Sequence, residues 1–417
     1  MLTVAEALNA ILQEVHPTSP ERVALSLAGG RILREAVSSD VDIPPFDKAL
    51  MDGYALRSAD IAAGRGELNV VEEILAGGVP RKVIHEGEAA RIMTGAPIPA
   101  GADAVVIVER TTTKSATNGQ VVVQIDSSAV VPELNLLRRG VVARSGGIVV
   151  PAGKLLRAQE IGALAEAGCR APSVSSLPRV AILATGDELV SPGVPLGPGQ
   201  IRNSNEPMLA QQMADTGAIP QPLGIAPDRE EPLLESIRRG LSSDLLLLSG
   251  GVSAGKKDLV PAQLDAAGVR QVFHKIQMKP GKPLWFGVYD SVESDGTPHR
   301  CLVFGLPGNP VSSMVCADLF VRPALRRLQG IEPAILPPIM ASLSHPFLMQ
   351  GDRPTYHPAR MTFEGSQVRV EIVDWIGSSD LRSTVSANGT VFLPPGEKQF
   401  QQGDLLPFHS WGGNGSF

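Results

Sequence analysis

The sequence predicts a mixed multidomain chain in which a doubly wound α/β segment stands between β-rich parts. Three observations carry this. First, the short apolar runs Val180–Leu183, Leu245–Leu248 and Leu302–Phe304 alternate with helical patterns over 207–216, 260–267 and 314–328. Apolar strands buried on both faces and separated by helices imply a parallel sheet. Second, the segment from about 48 to 140 carries the β-branched runs Ala104–Val108 and Val121–Ile125, with Asn118-Gly119 as a turn between them. Third, Val368–Ile372 and Thr390–Leu393 read as strands of a small closing β-domain after the linker Ile335-Leu336-Pro337-Pro338.

The elements follow in chain order. Thr3-Val4-Ala5-Glu6 is a capping box. Val4, Leu8, Ile11, Leu12 and Val15 then keep helical spacing. Ile43-Pro44-Pro45-Phe46 breaks the chain before the β-rich insertion. After it come the strand Ile148–Val150, a Pro-Ala-Gly turn, and a helix over 158–167. Pro172 and Pro178 bracket a linker, and at Arg179 the texture changes to alternating strands and helices. The expected partition is 1–47 with 141–176, then 48–140, 177–329 and 330–417.

Composition narrows the function. A chain of 417 residues with 43% hydrophobic residues can fill several cores. A net charge of −6 and an aromatic content of 4% argue against nucleic acid, which needs phosphate neutralisation and stacking surfaces. Cys169, Cys301 and Cys316 form no CxxC pair, and the seven histidines show no metal spacing. Cys316, in an apolar helical run, is expected to be a buried structural thiol. No signal peptide and no apolar run of ~18 residues is visible, so a cytoplasmic protein without a membrane span is expected.

The candidate chemistry lies in loops after strands, where open α/β sheets collect ligands. Thr185-Gly186-Asp187-Glu188-Leu189 places two carboxylates there, suited to a divalent cation or to acid/base work, or simply to a helix N-terminus. Ser249-Gly250-Gly251-Val252-Ser253 lets backbone N–H groups approach an anion, and Asp258 follows as a possible Mg²⁺ ligand. Pro307-Gly308-Asn309-Pro310 is a third rigid loop. Lys275, Lys279 and Lys282 fall within eight residues and face either an oxyanion or solvent. Asp52 and Thr94 occupy tight turns of the β-rich segment, where Asx and Thr turns are the plainer reading.

Seven strings in order resemble the MoeA family of molybdopterin molybdenumtransferases, which also includes the E domain of gephyrin. They are Met51–Ala55, Arg91–Pro97, Gly101–Val106, Thr185–Leu189, Ser249–Ser253, Lys279–Pro283 and Leu306–Ser312. The resemblance implies an elongated four-domain homodimer. Domain I would be 1–47 plus 141–176, and domain II, 48–140, would reach the partner's site. Domain III, 177–329, would be a MogA-like molybdopterin-binding domain, and domain IV, 330–417, would be barrel-like. It implies adenylylated molybdopterin and molybdate as substrates, Mg²⁺-dependent hydrolysis releasing AMP, and a possible MogA-like adenylyltransferase as partner.

Carried over residue by residue, Asp187, Glu188, Asp228 and Asp258 would hold Mg²⁺ or position water. Lys275, Lys279 and Lys282 would neutralise pyrophosphate or molybdate, Arg353 and Ser378 would hold molybdate, and Asp52 and Thr94 would act across the dimer interface. One departure stands out. After Arg138-Arg139-Gly140 the family usually carries Glu-Asp, and this chain has Val141-Val142. Reduced or altered activity is therefore expected, with a non-catalytic pterin-binding scaffold or a MogA-like adenylyltransferase as the alternatives.

Overall fold

The computed structural model describes residues 1–115, 120–126, 130–252 and 259–412. The chain divides into two compact units. One comprises Met1–Glu21, Gly30–Ile32 and Val174–Phe417, the other Arg22–Gly29 and Leu33–Ser173. Among the described residues, no helix is long and apolar enough to cross a membrane.

The first unit is built on a six-stranded sheet. Its spatial order is Ile219–Ala226, Arg179–Thr185, Leu245–Ser249, Pro298–Leu306, Trp285–Val292 and Arg270–His274. The first four strands are parallel. Their continuous apolar character follows from burial on both faces. Val180, Ile182, Leu245 and Leu247 enter one core cluster, while Ala181, Leu183, Leu246 and Leu248 enter the other. The helix Val4–Glu14 starts at the expected Thr3–Glu6 capping box and lays Ala7, Leu8 and Ile11 into the first cluster. A fully buried Leu or Ile side chain contributes about 1.5–3 kcal/mol, so an aspartate at Ile11 would unseat the helix.

The parallel expectation needs one correction. The last two strands run antiparallel to their neighbours. Between Val292 and Pro298 the chain turns through Asp295-Gly296, closed by Glu293 N–H on the Thr297 carbonyl at 2.8 Å. A connection that short can join only antiparallel strands. The helix expected over 314–328 begins earlier, at Pro310, and widens into a π turn over Ala317–Val321 before Arg322–Leu328. Pro323 has no N–H and its ring crowds the carbonyl four residues back, and the wider turn just before it makes room.

The closing β-domain is a barrel of Ile339–Leu343, Gln367–Ile372, Thr355–Glu364, Gly389–Leu393 and Leu405–Ser410, filled by Leu343, Val370, Val391 and Phe408. In the second unit, six strands between Gly53 and Ile125 form a sheet in which only Glu67–Ile74 and Glu88–Ile92 pair in parallel. The Asn118-Gly119 turn lies outside the described residues.

Candidate functional site

Three parallel strands end side by side at Thr185, Ser249 and Leu306, with Ala184 opposite Ser249 and Ser249 opposite Leu306. The loops that follow line a cavity of about 690 Å³ together with Glu188, Asp228, Arg202, Asn205 and Ser379. Gly250 has φ +100°, and a Cβ there would lie 2.7 Å from the Thr185 carbonyl oxygen. Only glycine fits so close to the neighbouring strand end. Its N–H donates to the Leu306 carbonyl at 3.1 Å. At Gly186, φ +147°, a Cβ would stand 2.6 Å from Glu188 Oε2, so the missing side chain gives the Glu188 carboxylate its place.

A residue outside the loops ties them together. Asn205, the first residue of the helix Asn205–Asp215, is buried. Its Nδ2 donates to Ser249 Oγ and to the Gly308 carbonyl, both at 2.7 Å. One amide thus fixes the distance between the anion-type loop and the Pro307–Pro310 loop. Its Oδ1 and Thr185 Oγ1 are buried without partners among the described residues. A buried polar atom left unpaired costs about 1–3 kcal/mol, which marks a place held for something other than stability. The barrel closes one side of the cavity. Asn309 Nδ2 donates to Ser378 Oγ at 2.7 Å, and Ser379 Oγ donates to Asn309 Oδ1 at 3.3 Å.

The acidic residues divide by role. Glu188 and Asp228 line the cavity, whereas Asp187 does not, and its Oδ1 accepts the Asp228 backbone N–H at 3.1 Å. Asp187 therefore positions the loop that carries Asp228. Among the described residues, no group of three His, Cys, Asp or Glu side chains converges on a point. Ser253 and Asp258 lie outside the described residues.

The lysine loop goes elsewhere. Of 275–283 only Pro283 lines the cavity. Ile276 N–H bonds back to the Lys282 carbonyl at 3.0 Å, and the Lys279 backbone is strapped to the barrel through Pro354 and Tyr356, each at 2.8 Å. Lys279 Nζ sits 6.0 Å from the Trp375 ring centroid. Arg353 lies on the same barrel segment, with Nε 3.3 Å from Asp352 Oδ1. Arg353 and then the Lys279 charge help hold the exposed Asp352 carboxyl below its ordinary range. Lys279 and Arg353 thus share a cationic locus on the barrel, while Ser378 does not line the cavity and is bonded to Asn309, which does. His274 backs the glycine loop, its Nε2 lying 3.0 Å from the Val252 carbonyl. Cys316 is fully buried, and burial pushes its thiol pKa up, as a structural thiol requires.

In the second unit, Asp52 and Thr94 meet. Asp52 Oδ1 accepts from Thr94 Oγ1 at 2.7 Å and from its N–H at 2.6 Å. These bonds hold the exposed Asp52 carboxyl below its ordinary pKa. Val141 and Val142 are 60% and 66% exposed. The carboxylates flanking their turn are engaged: Asp42 with the Ser145 N–H and Arg139, Asp47 with the Arg139 N–H and Arg138. Neither is a spare carboxylate in place of the missing pair.

Sequence reasoning missed Arg202, Asn205 and Ser379. The Asn203-Ser204-Asn205 run opening a helix reads as ordinary capping chemistry, and only the folded chain buries its polar atoms.

Comparison with known proteins agrees over the whole length. Residues 2–168 match the family model described as the MoeA N-terminal region (domain I and II). Residues 181–327 match a probable molybdopterin binding domain, and 341–411 the MoeA C-terminal region (domain IV). The molybdopterin molybdenumtransferase of Nostoc sp. is 38% identical over 342 residues, 81% of this chain and 76% of that protein. Its Bacillus subtilis counterpart is 31% identical over 413 residues, 96% and 92% of the two chains. A crystal structure of the molybdopterin biosynthesis MoeA protein from Pyrococcus horikosii superposes with a TM-score of 0.79 at 30% identity, covering 99% of this chain and 100% of that one.

Proposed function

The chain belongs to the MoeA family of molybdopterin molybdenumtransferases, and from that premise we propose that it inserts molybdate into adenylylated molybdopterin and releases AMP. It is an enzyme of molybdenum cofactor biosynthesis with a molybdopterin substrate. The observation that carries the finer reading is the cavity at the sheet's carboxyl edge, inside the region that matches the molybdopterin-binding family model.

The chemistry follows from the lining. The N–H groups of Gly251 and Val252, which unlike that of Gly250 have no backbone partner among the described residues, suit a phosphate, which needs donors at close range. Glu188 and Asp228 would hold Mg²⁺. Two carboxylates with no third protein ligand among the described residues suit a cation that completes its shell with phosphate and water oxygens. Held there, Mg²⁺ would supply Lewis-acid polarisation of the adenylyl phosphate, which favours hydrolysis. Asp187 holds the Asp228 loop, and Asn205 keeps the two substrate loops at a fixed spacing. Lys279 and Arg353, gathered on the barrel, offer a cationic place for molybdate, with Lys275 and Lys282 on the same loop.

In this reading a homodimer brings Asp52 and Thr94 of one subunit, on the 48–140 domain, to the other's site. A MogA-like adenylyltransferase supplies the adenylylated substrate in the cytoplasm. Purified protein incubated with adenylylated molybdopterin, molybdate and Mg²⁺ should release AMP and form the molybdenum cofactor. ATP consumption with free molybdopterin would point instead to adenylylation. A second reading rests on the exposed Val141-Val142 and its engaged neighbours: a pterin-binding protein of reduced turnover, seen as tight binding without AMP release.

A further inference from the structure

We propose that Arg202 is a substrate-binding residue whose guanidinium grips the phosphate of the ligand in the 690 Å³ cavity. The proposal rests on reading that cavity as the substrate site.

Charge comes first. The described lining includes two carboxylates, Glu188 and Asp228, and Arg202 is its single cationic side chain among the described residues. The lysines expected to neutralise the substrate sit on a loop that contributes only Pro283. Among the described lining residues, the others offer a phosphate only carboxylates, neutral polar side chains and backbone dipoles.

Geometry comes second. Arg202 ends the short strand Ile201–Arg202, which pairs in parallel with Leu189–Val190, directly after the Thr185–Leu189 loop. Ile201 N–H donates to the Glu188 carbonyl and Asn203 N–H to the Val190 carbonyl, both at 2.8 Å. Asn203 is buried, and its Nδ2 bonds Glu206 Oε2 at 2.8 Å. The backbone on either side of Arg202 is therefore fixed relative to Glu188. Its side chain, by contrast, is exposed and has no hydrogen bond or ion pair among the described residues. Most arginines whose partners are described here are committed: Arg138, Arg139, Arg157 and Arg300 all hold carboxylates. A planar fork on a fixed base, lining a cavity whose other described charges are carboxylates, matches bidentate phosphate recognition.

The test is calorimetric titration of the full-length protein with AMP, with adenosine as the phosphate-free control, in Mg²⁺ buffer. Arg202→Ala should weaken AMP binding roughly 10- to 100-fold, the range for hydrogen bonds to a charged group, and leave adenosine binding unchanged. Arg202→Lys should recover part of the loss, because it restores charge without the fork. A merely structural role would weaken both ligands alike, and that result overturns the proposal. So does equal AMP affinity in Arg202→Ala and the native protein, or a native protein that does not prefer AMP to adenosine. Phosphate discrimination that depends on Arg202 in a protein that fails to insert molybdate would sink the insertase reading and leave Arg202's role standing.

Discussion

Asn205→Ala offers a direct test of how the cavity is held in shape. The substitution removes two hydrogen bonds of 2.7 Å, to Ser249 Oγ and to the Gly308 carbonyl. At about 1 kcal/mol net each, their loss costs about 2 kcal/mol. Ser249 is 2% exposed, so its hydroxyl keeps part of the desolvation penalty once its partner is gone. Against this, the variant also deletes the unpartnered Asn205 Oδ1, which returns about 1–3 kcal/mol. The net destabilisation should therefore be small, about 0–2 kcal/mol, and a chain of this size should stay folded. Function should suffer more. With the tie gone, the Ser249–Val252 and Pro307–Pro310 loops are free to separate, and a displacement near 1 Å costs on the order of 100-fold in rate. Denaturant unfolding measures the first quantity, and kcat/KM for AMP release the second. A variant that loses stability as expected and keeps native kcat/KM would refute the claim that Asn205 sets the loop spacing.

Other perturbations separate the remaining parts. Gly250→Ala forces a side chain to 2.7 Å from the Thr185 carbonyl at a φ of +100°, and should abolish AMP binding in calorimetry. Native affinity would show that the loop does not carry the phosphate. Thr94→Val removes the side-chain hydrogen bond that leads in lowering the Asp52 pKa, so that pKa should rise toward the ordinary carboxylate value in an NMR titration. The sign for stability follows. The native contribution of this pair is fully present above the ordinary carboxylate pKa and lost as pH falls through the lowered one, so the variant should show a weaker acid-side loss. The acid limb of its activity should move to higher pH. Val142→Asp places a carboxylate at a 66% exposed position at little packing cost and should raise the molybdenum-insertion rate. Equal rates in variant and native protein would remove the significance of the Val141-Val142 pair.

The parts of the fold legible in the sequence are those whose burial is continuous. Leu245–Leu248 shows as a strand because both of its faces meet apolar cores. Ile219–Ala226 hides because Pro220 and Pro222 interrupt it. It can hold prolines because it forms the edge of the sheet. The antiparallel pair was marked by Asp295-Gly296, a hairpin turn sequence overlooked beside the helical patterns. In the site, the glycine loops were legible because their backbone geometry demands glycine. Asn205 and Arg202 were not, since one owes its role to burial among distant loops and the other to the absence of a partner. The lysine loop shows the reverse case. Its charge density was plain, yet its place is set by backbone bonds to Pro354 and Tyr356, more than seventy residues downstream.

The seating of the Val4–Glu14 helix in the core of the α/β sheet also constrains how the protein can be made. The helix packs against side chains as late in the chain as Phe320, Leu325 and Leu328. On the ribosome it emerges long before those partners, and some three hundred further residues must be added before they exist. The sheet between Gly53 and Ile125 takes all its strands from that segment and its core partners from residues 49–134, so it can form in the interval. For that time Ala7, Leu8 and Ile11 present a bare apolar stripe to water, the kind of surface that nascent-chain chaperones shield. A helix made well before its partners is thus among the last elements to find its place.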